Sequence, residues 1–245
     1  MTYCVGMRLA SGLVMLSDTR TNAGVDNIST FQKQFVWENP GERVLCLMTA
    51  GNLAATQAVT TLLTEGFSSD LTGRTETLWS VPRMFTAAQL VGEAVRRVWR
   101  TDGDALRAQG VGFDLSLMLG GQIGEGQLRL YQIYSAGNFI EATEDTPYLQ
   151  IGEHKYGKPI LDRACRYDTP VEDAVKLALV SMDSTLRSNL TVGLPIDLLV
   201  ARTGAMRVAV RRRLAEDDPY LRLIREQWGS ALREAYRAIP RPEWV

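Results

Sequence analysis

The sequence predicts an α+β fold in which two packed sheets are covered by helices. Three observations carry that expectation. Strand-like and helix-like stretches come in blocks, the strands join mainly through short turns, and no regular βαβ alternation runs along the chain. At 245 residues, 45% of them hydrophobic, the chain can bury a full core. No internal repeat, low-complexity tract or Pro/Ser-rich linker divides it. Residues 1–215 therefore read as one domain and 216–245 as a C-terminal helical extension, either part of that domain or an assembly contact.

The first fifty residues read as strands. Residues 2–9 and 12–18 are rich in β-branched and apolar side chains and are separated only by Ala10 and Ser11, which suits a hairpin. With that turn, paired residue numbers sum to about 21. Asp18 then lies beside Tyr3, next to the N-terminus. Asn22, Gly24, Asp26 and Asn27 mark a loop, and residues 33–38 and 43–50 form two further strands around Asn39, Pro40 and Gly41.

The middle of the chain turns helical. Residues 52–66 carry apolar side chains at helical spacing, and 82–109 form a longer amphipathic segment with a polar stripe of Glu93, Arg96, Arg97 and Arg100. Strand composition returns at 114–121 and 128–134 around GQIGEG, followed by short extended pieces to Ile151. That glycine-rich run lacks the strand-to-helix setting and glycine order of a dinucleotide loop, so it reads as a hairpin turn. A short helix at 158–166 precedes a firm one at 170–186, with Thr169 and Pro170 as N-cap and first-turn proline. Strands at 195–202 and 206–213 and a final amphipathic helix at 219–238 complete the order. Arg211, Arg212 and Arg213 end the last strand as a solvated edge or an assembly contact. Trp228, Leu232 and Tyr236 recur at helical spacing, for packing on the body or on a neighbouring subunit.

Charge and composition exclude several functions. Lys plus Arg number 27 against 28 Asp plus Glu, so nothing suggests binding to nucleic acid or to anionic lipid. No apolar run approaches the ~20 residues of a membrane helix, and no basic-then-apolar leader opens the chain, so a cytoplasmic protein is expected. Cys4, Cys46 and Cys165 are widely spaced and read as reduced core thiols. One histidine, His154, rules out a His-rich metal site and makes a Ser-His-Asp triad a poor fit. No metal or cofactor is expected.

The chemistry points to residue 2. Removing Met1 leaves Thr2 with a free α-amine beside its own γ-hydroxyl, and an amine of reference pKa near ~8 can accept the hydroxyl proton. Such a nucleophile needs a neighbouring positive charge, a carboxylate to hold that charge, and backbone N–H donors for the tetrahedral intermediate. Lys33, Asp18 and Gly51 fit those roles. The hairpin delivers Asp18, Lys33 begins the next strand, and Gly51 sits where a strand ends and a helix begins.

With Thr2 heading a strand, SDTR at 17–20, Lys33, and TAGNLAAT at 49–56, the chain resembles the β-type subunits of the 20S proteasome. The segments MTYCVG, SDTRTNAGVDNIST, IGEHKYGKPILDR and SNLTVGLPIDLLVART are similar to the bacterial ancestral β-subunit group, Anbu. The resemblance implies a four-layer αββα sandwich of the N-terminal nucleophile hydrolase type, here with an extra C-terminal helix. It implies a threonine peptidase cleaving peptide or amide bonds, working as a homo-oligomer in a ring or open spiral. By the family pattern Thr2 supplies nucleophile and amine, Lys33 lowers the hydroxyl pKa, Asp18 orients Lys33, and the Gly51 N–H serves the oxyanion hole. Carried over by position, Thr21, Phe31, Phe35, Thr49 and Leu53 form a specificity pocket suited to an apolar side chain.

Two departures stand out. Where the family has a serine near the amine, this chain has Glu153 within Gly152-Glu153-His154, and where it has an aspartate, Asn189 aligns. Glu153 held against an α-ammonium would raise the amine pKa and weaken it as a base. These changes and the extra C-terminal helix keep open a non-catalytic assembly or scaffold subunit, which retention of Met1 would favour; a small-molecule amidase would share the same centre and differ only in pocket access.

Overall fold

The computed structural model describes residues 2–23 and 27–245. Met1, with its removal, and residues 24–26 of the expected loop lie outside the described residues. In chain order the strands are β1 Tyr3–Leu9, β2 Gly12–Asp18, β3 Arg20–Ala23, β4 Asn27–Thr30, β5 Gln34–Asn39 and β6 Arg43–Gly51. Helix α1, Leu53–Glu65, follows, then the two-residue strands β7 Phe67–Ser68 and β8 Thr75–Glu76, and helix α2, Met84–Ala108. Next come β9 Leu115–Ile123, β10 Arg129–Tyr134, β11 Phe139–Glu141 and β12 Tyr148–Gly152. The chain ends with α3 Lys158–Ala164, α4 Val171–Ser188, β13 Ile196–Arg202, β14 Val208–Leu214 and α5 Pro219–Ala238.

Two antiparallel five-stranded sheets dominate. One has the order β12-β1-β2-β13-β14 and the other β11-β10-β9-β6-β5. Strand alternation sorts the core into three layers. Val14 and Leu16 face α3, α4 and α5, where Val171, Ala178, Met182 and Leu221 meet them. Leu13 and Met15, one residue out of phase, face the second sheet and its Cys46, Met48 and Met118. That sheet's other side packs Leu45 and Leu47 against α1 and α2 through Val59, Leu63, Val91 and Val95. Helix, sheet, sheet, helix is the four-layer αββα order. Each fully buried Val, Leu or Met among these contributes roughly 1.5–3 kcal/mol, and α1 and α2 depend on that burial more than on propensity.

The first hairpin has the expected register, with Cys4 opposite Ser17 and Val5 opposite Leu16. Elsewhere local chemistry corrected the expectations. Part of the supposed loop at 22–27 is a small ribbon, with Thr21 opposite Ser29. Thr169 does not cap α4: its hydroxyl accepts the Arg166 N–H at 2.9 Å, and Pro170 occupies the N-cap without a side-chain bond. Glu93 leaves the supposed polar stripe and is buried, accepting from Ser69 Oγ at 2.7 Å. Cys4, Cys46 and Cys165 are buried free thiols.

Helix α5 is held at its start. Asp218 accepts the Tyr220 and Leu221 N–H groups at 2.9 and 3.1 Å, and Leu221 and Ile224 enter the core. Beyond them Leu232 and Tyr236 are exposed, and Trp228 and Leu232 line an apolar groove with Ile160, Leu177 and Val180 of α3 and α4. Among the described residues no helix is long and apolar enough to cross a membrane.

Candidate active site

Thr2 immediately precedes β1 and is only 7% exposed. Its carbonyl accepts the Glu153 N–H at 2.6 Å, which ties it to the end of β12. Gly152 makes that approach possible: its φ is +81°, and a Cβ there would lie 2.1 Å from the Thr2 carbonyl oxygen. A side chain at 152 would push the two segments apart.

Asp18 closes β2 one strand away. Its Oδ1 accepts the Tyr3 N–H at 3.1 Å and the Lys33 ammonium at 2.8 Å, and its Oδ2 accepts the Gly193 N–H at 3.3 Å. Lys33 Nζ also donates to the Arg20 carbonyl at 2.5 Å. Both side chains are buried, with relative exposures of 5% for Lys33 and 0% for Asp18. Burial pushes the Asp18 carboxyl above its ordinary value, while the Lys33 ammonium and the Tyr3 and Gly193 amides oppose that shift. A buried pair satisfied by these extra hydrogen bonds is costly to break from one side.

Gly51 ends β6 with φ +106°, and a Cβ on it would meet the Asp114 carbonyl oxygen at 2.1 Å. Asn52 then caps α1, its Oδ1 accepting the Ala55 N–H at 3.1 Å. The tight approach to β9 and the helix start are thus set by adjacent residues.

A cavity of about 150 Å³ joins these parts, lined by Thr2, Thr21, Asn22, Lys33, Thr49, Ala50, Gly51, Leu53 and Thr56. It brings Thr2, Lys33 and Gly51 together with three of the five expected pocket residues. The other two are elsewhere. Phe35 sits on the face of β5 that packs against α1 and α2, and Phe31, 37% exposed, is outside the lining. The lining as it stands sets four threonines and the Asn22 amide beside Ala50 and Leu53. Asn22 and Thr56 were not expected. Thr56 lies one helical turn after Leu53, so i,i+3 spacing on α1 points to it, whereas nothing in the local pattern singles out Asn22.

Glu153 and Asn189 form one unit behind Thr2. Glu153 Oε1 accepts the His154 and Lys155 N–H groups, both at 2.9 Å, and Oε2 accepts Asn189 Nδ2 at 2.9 Å. Burial raises the Glu153 carboxyl, but the Lys155 amide, Asn189 and the His154 amide outweigh it and hold the group below the usual glutamate range. Asn189 Oδ1 in turn accepts the Thr191 N–H and hydroxyl. The bond recorded between residues 153 and 2 is the backbone one, with the carboxylate engaged by its own turn and Asn189. Chemically, the cavity offers a hydroxyl, a buried ammonium fixed by a carboxylate, and a close backbone approach at a helix start. No group of three or more His, Cys, Asp or Glu side chains able to hold a metal occurs among the described residues.

The model for "Proteasome subunit" matches residues 93–200. No curated protein matches the chain. A mutant Anbu from Hyphomicrobium sp. strain MC1 is 50% identical, the match covering 99% of this chain and 100% of that one, with a TM-score of 0.90. Anbu, described as ancestral beta-subunit, from Yersinia bercovieri is 49% identical over 98% of each chain, also at 0.90. A structure described as the helical assembly of the Anbu complex from Pseudomonas aeruginosa is 49% identical over 98% of each chain, at 0.91. With half of its residues shared over almost its whole length and the same layered fold, the chain belongs to the proteasome family, in the Anbu group of ancestral β-subunits.

Proposed function

We propose that this protein is a threonine-type N-terminal nucleophile hydrolase that cleaves peptide or other amide bonds within an assembly of its own copies. The observation that carries this reading is the buried Lys33–Asp18 pair opening into the cavity that Thr2 and Gly51 line. Once Met1 is removed, the Thr2 hydroxyl attacks the substrate carbonyl carbon and its proton passes to the α-amine. The Lys33 charge favours the developing alkoxide, and Asp18 fixes that charge in place. The intermediate collapses by expelling the amine product, which takes the proton from the α-ammonium. Water then attacks the acyl-threonine ester with the α-amine as base, releasing the acid. A cavity of about 150 Å³ suits one modest side chain or acyl group, so a small-molecule amide shares this site with a peptide.

Self-association is supported by the apolar groove that Trp228 and Leu232 of α5 line with α3 and α4, and by the helical assembly described for the Pseudomonas aeruginosa relative. A scaffold role without turnover is favoured by one observation, the Glu153–Asn189 pair, which places a carboxylate one residue from the β12 glycine that touches Thr2. Intact mass followed by treatment with a peptide epoxyketone decides between them. A covalent adduct on Thr2 in Met1-free protein is expected. Met1-free protein that stays unmodified counts heavily against catalysis, and retained Met1 favours the scaffold reading.

A further inference from the structure

We propose that the cleft between β5 and β14 is a second ligand site, taking the oxyanion of a small molecule, a phosphoryl or carboxylate group, on Arg211, Arg213, Gln32 and Gln34. The cleft has a volume of about 290 Å³ and is lined by these four residues with Asp197 and Arg212, none of which lines the threonine cavity.

Its walls are the open edges of the two sheets. On β14, Arg211 lies opposite Leu199 and Arg213 opposite Asp197. Leu199 belongs to the core between the sheets, so Arg211, Asp197 and Arg213 share that inward face. Across the gap, Val36 packs into the same core, which places Gln34, two residues earlier, on the inward face of β5. Lower down, the Val208 N–H donates to Glu38 at 2.7 Å and fastens the two edges together.

The charges in the cleft do not cancel. Arg213 holds both oxygens of Asp197, each at 2.7 Å, and Arg212 is drawn to Asp218 at 2.8 Å. Arg211 has no ion pair among the described residues, and so remains an uncompensated guanidinium. Gln32 and Gln34 each use one amide N–H, to the Gln34 carbonyl at 2.5 Å and the Met15 carbonyl at 3.3 Å, leaving one N–H apiece. The cleft is therefore rich in donors and carries a planar guanidinium, the arrangement that recognises carboxylate and phosphate oxygens.

A second observation lies deeper. Ser17 is opposite Asp197 across β2 and β13, so a polar row Ser17, Asp197, Arg213 runs inward from the rim. Ser17 is fully buried, and its Oγ is the one buried side-chain polar atom without a hydrogen-bond partner among the described residues. Such a group costs stability when left unpaired, and it neighbours Asp197, which lines the cleft, without lining the cleft itself.

The test is calorimetric titration of the full-length protein near neutral pH with inorganic phosphate, glycerol phosphate and acetate, each against chloride at matched ionic strength. One saturable site per chain is expected, at least tenfold weaker in Arg211→Gln and in Gln32→Glu, and unchanged in Arg107→Gln. Both test positions are exposed; Gln32→Glu also gives up the bond to the Gln34 carbonyl, so Arg211→Gln is the variant that leaves the protein's own hydrogen bonds in place. Response to the two phosphates alone assigns the phosphoryl class, and response to acetate alone assigns the carboxylate. No saturable heat from any of the three, or equal binding by wild type and both variants, overturns the proposal. So does equal weakening in Arg107→Gln, which marks general attraction of anions.

Discussion

Asn189 donates from Nδ2 to Glu153 Oε2 at 2.9 Å, and this bond joins the turn touching Thr2 to the loop whose Gly193 N–H reaches Asp18. Because Asn189 Oδ1 is held by Thr191, the amide cannot flip without losing two other bonds. Glu153→Gln therefore sets an NH₂ against an NH₂ on one side. A loss of about 1–3 kcal/mol is expected from a buried group left unsatisfied, read from urea unfolding near neutral pH. The sign of its pH dependence follows from a carboxyl held below its ordinary value of 4.5. Its stabilisation is fully present above that value and fades as pH falls through the lower native one. The difference between wild type and variant should accordingly shrink in acid.

Breaking the Lys33–Asp18 pair from one side should cost more. Lys33→Met and Asp18→Leu each leave a buried partner uncompensated, at about 3–5 kcal/mol. The double variant should lose clearly less than the two single losses added, a coupling measurable by a double-mutant cycle. All three should lose epoxyketone labelling at Thr2. A labelled Lys33→Met protein of native fold contradicts the role given to the ammonium.

Thr2→Ala should abolish the adduct, whereas Thr2→Ser, which keeps both the hydroxyl and the amine, should retain it. Peptide mapping after labelling distinguishes residue 2 from the three buried thiols, which should stay unmodified.

Gly152→Ala is expected to act on Thr2 from the far side of the β1–β12 pair. The added Cβ falls 2.1 Å from the Thr2 carbonyl and the backbone must leave φ +81°. A destabilisation of about 1–3 kcal/mol is expected. Labelling of Thr2 should slow in the folded fraction as the 2.6 Å bond to Glu153 N–H is lost.

Assembly should depend on the outer part of α5, since its first turns belong to the core. Leu232→Glu with Tyr236→Glu leaves Leu221 and Ile224 in place and charges the exposed face. Light scattering should show smaller particles with an unchanged far-ultraviolet spectrum. An unchanged size distribution removes that face from the contact.

The sequence was most readable where one periodicity dominated. The short turn at Ala10 and Ser11 sets the register that brings Asp18 to Tyr3, and the long amphipathic runs mark α2, α4 and α5 within a few residues. Short polar strands such as β3 and β4 carry no such pattern, so their pairing was hidden. Phe35 was misplaced for a physical reason: strand alternation sends it to the helix-facing side, while its neighbour Gln34 faces inward. Glu153 and Asn189 were identifiable as departures, but their hydrogen bond spans 36 positions and required the fold.

The anchored carbonyl of Thr2 makes the sheet a ruler for the N-terminus. Gly152 and Ser17 fix β1 from both neighbours, and sliding the strand by one residue would turn each of its side chains to the opposite layer. The Thr2 carbonyl is thus held by the Glu153 N–H at the head of a strand whose register both neighbours set. If Met1 is removed as proposed, the change alters what the Thr2 nitrogen can do while the β1 register that holds Thr2 is already set by both neighbouring strands.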